Sequence, residues 1–75
     1  MVKIKLMGWI ADKMGFKEKE IPLGDKKVPV KELVPVVNLE SPDRIVVLVN
    51  HKGASIDTLV GDEDYVAVLP VIGGG

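Results

Sequence analysis

The chain opens in strict alternation. Val2, Ile4 and Leu6 fall on one face and Lys3 and Lys5 on the other, the period-two pattern of a half-buried strand with a solvated side. Gly8 and Gly15 then bracket Trp9 to Met14, a stretch too short for a helix that stands alone, and a turn-rich connection is expected there. Residues 16–23 read as a weaker, charged strand. Pro22 cannot donate to a ladder, so this strand should lie at a sheet edge or end at the proline. Gly24 to Lys27 is a polar loop.

One helix is predicted. Val30, Leu33, Val34 and Val37 recur at i, i+3, i+4 and i+7, a one-sided apolar stripe. Pro29 suits its first turn, where a missing N–H is no loss. Pro35 removes the bond to the Lys31 carbonyl, at about 3 kcal/mol inside a helix, so the helix should kink or end there and leave residues 36–39 irregular. Ser41 to Asp43 reads as a turn. Arg44 to Asn50 is an unbroken run rich in β-branched residues that asks for burial on both faces, the mark of a central strand. After a turn at Asn50 to Gly53, residues 54–60 give a short strand and a crossing loop. Tyr65 to Leu69 is the last strand, Pro70 to Ile72 leave the sheet, and the chain closes on Gly73, Gly74 and Gly75.

The fold class expected from this order is α+β, a mixed sheet of four to five strands with one main helix packed across one face. Two opening strands, a helical crossover and a final strand beside the first describe the β-grasp, or ubiquitin-like, layout. A ferredoxin-like fold needs a second helix that the pattern does not offer. Residues 1–72 form the domain and residues 73–75 a flexible tail.

Composition narrows the function. The 75 residues make one small domain with 47% hydrophobic residues and a net charge of −1. A chain of this size buries only roughly 60% of its unfolded surface, so it has little room for a pocket of its own. The balance of ten basic against eleven acidic residues argues against a nucleic-acid partner and against a polybasic membrane anchor. With no cysteine and one histidine, there is no disulfide framework, no Cys nucleophile and no expected metal site. No apolar run approaches the ~20 residues of a bilayer span, and the alternating start is unlike a signal peptide, so a soluble cytoplasmic protein is expected.

Few residues invite chemistry. Asp62, Glu63 and Asp64 are adjacent and diverge, which makes them a solvated turn or an acidic docking patch rather than a calcium loop. His51 reads as an exposed turn residue. Trp9 and Ile10, beside Met14, are either core or a partner surface. The tail is the remaining candidate. Glycines admit close approach and a wide range of φ, so Gly73 to Gly75 could thread a slot closed to side chains and present the α-carboxylate of Gly75; a frayed terminus is the plain alternative.

The opening VKIKLMGWIADKMG, the segments KEKEIPL and VPVKEL, and above all the ending DEDYVAVLPVIGGG resemble the MoaD/ThiS family of ubiquitin-like sulfur carriers across the whole chain. Glu63 and Val71 depart from the D-G-D and P-P-V of the MoaD ending, Pro29 stands where a capping Thr is usual, and Gly73 is similar to ThiS endings. The resemblance implies that Gly75 is adenylated by an enzyme resembling the ubiquitin-activating enzymes, which uses ATP, and is then converted to a thiocarboxylate. Gly74 is its partner glycine. Pro70, Val71 and Ile72 would lie with Gly73, Gly74 and Gly75 in a partner's active site.

On that resemblance the chain is no enzyme and binds no cofactor. It is the small partner of a molybdopterin synthase large subunit, donating sulfur for the molybdenum or tungsten cofactor. Delivery to thiamine thiazole or to tRNA, and conjugation to target lysines as a modifier, are the alternatives. An interaction domain working through Trp9, Ile10 and the sheet is a third class.

Overall fold

The computed structural model describes residues 1–39 and 42–71. The expected turn at Ser41 and the tail residues Ile72, Gly73, Gly74 and Gly75 lie outside the described residues. The elements are β1 (Val2–Leu6), α1 (Gly8–Met14), β2 (Glu18–Ile21), β3 (Val28–Pro29), α2 (Val30–Leu33), β4 (Ile45–Val49), β5 (Lys52–Ala54), β6 (Leu59–Val60) and β7 (Tyr65–Pro70). Two 3-10 segments, Pro35–Leu39 and Pro42–Arg44, join α2 to β4.

Five strands form one mixed sheet in the order β2-β1-β7-β4-β5. The first and last strands run parallel at its centre, Ile4 opposite Val66 and Leu6 opposite Val68, and the remaining pairs are antiparallel. The alternation at residues 2–6 is realised as read: Val2, Ile4 and Leu6 are buried and Lys3 and Lys5 exposed. Val66 and Val68 join them on the same face, with Ile45 and Val47 of β4 alongside, and the helices close over this layer. β2 takes the edge and stops one residue before Pro22, as the missing donor requires. β3 and β6 make a separate two-stranded ribbon.

Where helix forms is the main difference from the sequence reading. Trp9 to Met14, expected as a turn-rich connection, belongs to α1, so the antiparallel β1 and β2 are joined through a helix rather than a tight hairpin. Seven residues are too few to be stable alone; burial of Ile10 and Ala11 against the sheet supplies what propensity does not. Gly15, at φ 84°, ends it in a left-handed cap, its N–H bonded to the Ala11 carbonyl at 2.9 Å. The expected main helix ends before Pro35, as read, and spans four residues. Pro29 caps it in extended conformation, and Val34, held out of the α region by the proline that follows, ends it. The apolar stripe nevertheless survives, because the 3-10 segment continues the curve: Val30, Val34 and Val37 are all fully buried.

Two further expectations are corrected. β4 sits inside the sheet, but Val46 and Leu48 on its outer face are only half-buried, because among the described residues no second layer covers that side. Pro70 does not leave the sheet. It is the last residue of β7, opposite Ile45, and the next amide, Val71, donates to the Arg44 carbonyl at 3.0 Å.

The turn from β4 to β5 uses Asn50 and His51, at φ 53° and 69°, the two positive angles that a two-residue hairpin of matching twist needs. Asn50 is well suited, since its side chain also accepts from the Tyr65 N–H (3.0 Å) and donates to Asp64 (2.9 Å).

Candidate functional site

The sequence candidates separate once placed. Ile10 is not a partner surface: it is 0% exposed, a core residue of α1. Trp9 is half-buried against the same core. His51 is exposed on its turn and stacks on Tyr65 with ring centroids 5.4 Å apart.

Two of the three acidic residues hold the fold together. Asp62 accepts from the Leu23 N–H at 2.9 Å and pairs with the Met1 amino group at 3.3 Å. Asp64 accepts from the Gly61 N–H at 2.7 Å as well as from Asn50. Both carboxyls are held below their usual value of 3.8, chiefly by those backbone N–H donors, to Asp62 from Leu23 and to Asp64 from Gly61. That leaves Glu63 as the outward member of the trio.

Among the described residues no cluster of three or more His, Cys, Asp or Glu could hold a metal ion. The groove along β1 and β2, about 440 Å³, is lined mainly by Lys3, Lys5, Glu18, Lys19 and Glu20, alternating charges without a nucleophile and base in register. No described helix is long and apolar enough to cross a membrane.

What the structure does assemble lies around the end of β7. Its alternate residues Tyr65, Ala67 and Leu69 face away from the core, and the register sets Ala67 beside Leu48 and Leu69 beside Val46. These half-buried apolar side chains make a strip on the uncovered face of the sheet. The signal was present in the sequence, since both strands carry apolar residues at odd and even positions, but it reads equally as a strand covered on both sides. Val71 follows Leu69 on the same alternation and is 51% exposed, so the strip ends two positions before the first of the terminal glycines in sequence. Pro70 points the other way. Its ring lies against Gly8, where a Cβ would meet Pro70 Cγ at 2.9 Å.

A model of the ThiS family matches residues 4–75, nearly the whole chain and the tail included. The chain belongs to the ThiS family. It is thereby one of the ubiquitin-like small proteins that serve as sulfur carriers or modifiers. Two solved structures share its fold. SAMP1 from Haloferax volcanii superposes with a TM-score of 0.68 at 22% identity, covering 99% of this chain and 98% of that one. Urm1 from Sulfolobus solfataricus gives 0.64 at 19% identity, covering 92% and 99%. The ubiquitin-like β-grasp expected from the order of elements is therefore the fold. No curated protein sequence matches the chain significantly.

Proposed function

We propose that this ThiS-family chain is a sulfur carrier working through the carboxylate of Gly75. The observation that carries the reading is the apolar strip of Val46, Leu48, Ala67 and Leu69, which runs along the uncovered sheet face to the root of the tail. A partner docked on that strip receives the tail beside it. The four residues after Val71 span at most ~14 Å when extended, enough to bring Gly75 into a narrow active site.

The chemistry is conventional acyl activation. The Gly75 carboxylate oxygen attacks the α-phosphorus of ATP on an adenylating enzyme resembling the ubiquitin-activating enzymes, and pyrophosphate leaves. A sulfide equivalent then attacks the acyl carbon of the adenylate, AMP leaves with the bonding pair, and a thiocarboxylate remains. ATP belongs to the activating enzyme; the carrier is a substrate and contributes no catalytic residue. We assign the protein to the cytoplasm, where ATP for such activation is at hand. Pro70 and Val71 form the sheet-anchored base of the tail, and Ile72 to Gly75 the part that enters the second partner.

The acceptor we assign is the molybdopterin precursor, held by a partner resembling the molybdopterin synthase large subunit. What supports it is the likeness of residues 62–75 to the MoaD ending. Adding one residue beyond Gly75 tests the carrier reading: charging by the cognate activating enzyme should be lost while the fold is kept. Full charging of the extended protein would overturn it. Conjugates to lysine that survive reducing agent on a denaturing gel, without a labile thiocarboxylate, would instead make the chain a modifier.

A further inference from the structure

We infer that Gly8 is a positioning residue for the tail, acting through Pro70; the inference rests on the carrier reading for its purpose and on the contact itself for its geometry. Gly8 lies at the junction of β1 and α1 with φ +60°, a conformation that L side chains rarely adopt. A Cβ there would come within 2.9 Å of Pro70 Cγ and 3.3 Å of Cδ. Those are ring carbons. A proline ring can do no more than change its pucker, which shifts Cγ but leaves Cδ in place, and its φ is fixed near −65°, so relief of the contact also draws on the backbone of residue 70 or of residue 8.

Both sides of the contact are held. The Met7 N–H, one residue before Gly8, donates to the Val68 carbonyl at 3.2 Å, and Ile10, two residues after, is sunk in the core. Pro70 is paired with Ile45 on its other side, and the Val71 N–H is bonded to Arg44. Pro70 is thus clamped between β4 and the bare Cα of Gly8.

The consequence reaches the tail because Leu69 and Val71, which flank Pro70, lie on the docking face. While the clamp holds, the tail starts at a fixed place relative to the strip that a partner grips. A displaced Pro70 moves that starting point, and an extended chain of four residues in a narrow slot has little slack to recover it. The glycine therefore serves alignment of the terminal carboxylate, a task separate from adhesion to the partner.

Three variants test this: Gly8→Asn, Pro70→Ala and the double variant. Asparagine tolerates positive φ, so its main effect is the contact with Pro70. Alanine at 70 removes Cγ and Cδ and reaches the same contact from the other side, should Gly8→Asn fold poorly. One readout is amide exchange of Val71, which needs no partner. The other is ATP–pyrophosphate exchange with the cognate activating enzyme, measured against carrier concentration to separate kcat from KM.

Gly8→Asn should speed Val71 exchange and lower kcat, each by tenfold or more, with KM within about twofold; Pro70→Ala should also speed Val71 exchange and lower kcat. The double variant should recover at least threefold in both relative to Gly8→Asn. A folded Gly8→Asn protein with native Val71 protection and native kcat overturns the inference, as does a loss wholly in KM or a double variant no better than Gly8→Asn. If the unaltered protein supports no exchange reaction, the carrier reading fails, and the Val71 measurement still decides whether Gly8 holds the tail's root.

Discussion

Truncating Ile10 probes α1, the element that the hydrophobic pattern did not announce. Its side chain is fully buried between α1 and the sheet. Ile10→Ala removes three carbons, each about 0.8 kcal/mol in transfer free energy, or about 2.4 kcal/mol together. An unfilled cavity adds more, but a seven-residue helix can settle part of the way into the space, so the total should be about 3 kcal/mol, inside the 2–5 kcal/mol observed for such truncations. A 75-residue domain has on the order of 4–11 kcal/mol in all, so the variant should remain folded in water but unfold at much lower urea. Ile10→Val, at about 1 kcal/mol, gives an intermediate point.

Urea titration followed by the fluorescence of Trp9, the single tryptophan, reads the neighbouring position directly. Leu39→Ala is the control, since Leu39 is 79% exposed and its truncation should change stability by no more than about 0.5 kcal/mol. A loss below about 1 kcal/mol for Ile10→Ala, at unchanged urea slope, would refute the packing of α1 on the sheet. It would return Ile10 to the surface.

Acid should act through Asp62 and Asp64. Their folded values lie below the usual 3.8, so their stabilising contribution is complete above that value and is lost as pH falls through the lower folded values. Urea midpoints should be flat from neutral pH to about 5 and fall below about 4; an Asp62→Asn/Asp64→Asn protein that falls as steeply would contradict this. On the docking face, Leu48→Lys should raise KM for activation at least tenfold, about 1.4 kcal/mol or more, while leaving kcat within twofold. A defect in kcat alone would place docking elsewhere.

Strands β1, β2, β4 and β7 were legible because their signals are local, whereas β3 was not read and β5 begins inside the residues read as a turn. Lys3 and Lys5 alternate with three apolar residues, and Pro22 marks an edge by a missing donor, so β1 and β2 could be placed from composition of a few positions. Helix α1 was not, because its formation is decided by contacts far away in sequence. Gly8 and Gly15 marked both ends of α1, yet only burial of Ile10 makes the segment between them helical. The stripe through Val30, Val34 and Val37 was read correctly, as was the end of the α-helix near Pro35; the segment after it, read as irregular, is a 3-10 turn that presents Val37 to the core as an α-helix would.

The site divides the same way. The glycine tail stands out in one dimension. The strip beside it depends on the register of β4 against β7, and the clamp on Pro70 joins residues 62 positions apart, neither of which has a sequence signature. Pro70 itself misled, because a proline after a strand reads as an exit, whereas at the final position of β7 it forfeits one donor and keeps its pairing.

The carrier reading meets its most direct test in intact-mass spectrometry of the protein incubated with ATP, its activating enzyme and a sulfur source. Replacing a carboxyl oxygen by sulfur adds about 16 Da, close to the mass of methionine oxidation, so the added mass must be mapped by fragmentation. The account predicts that it resides on the peptide ending Gly73-Gly74-Gly75, on the terminal residue. An active, cognate activating enzyme that leaves this peptide at its original mass would contradict it.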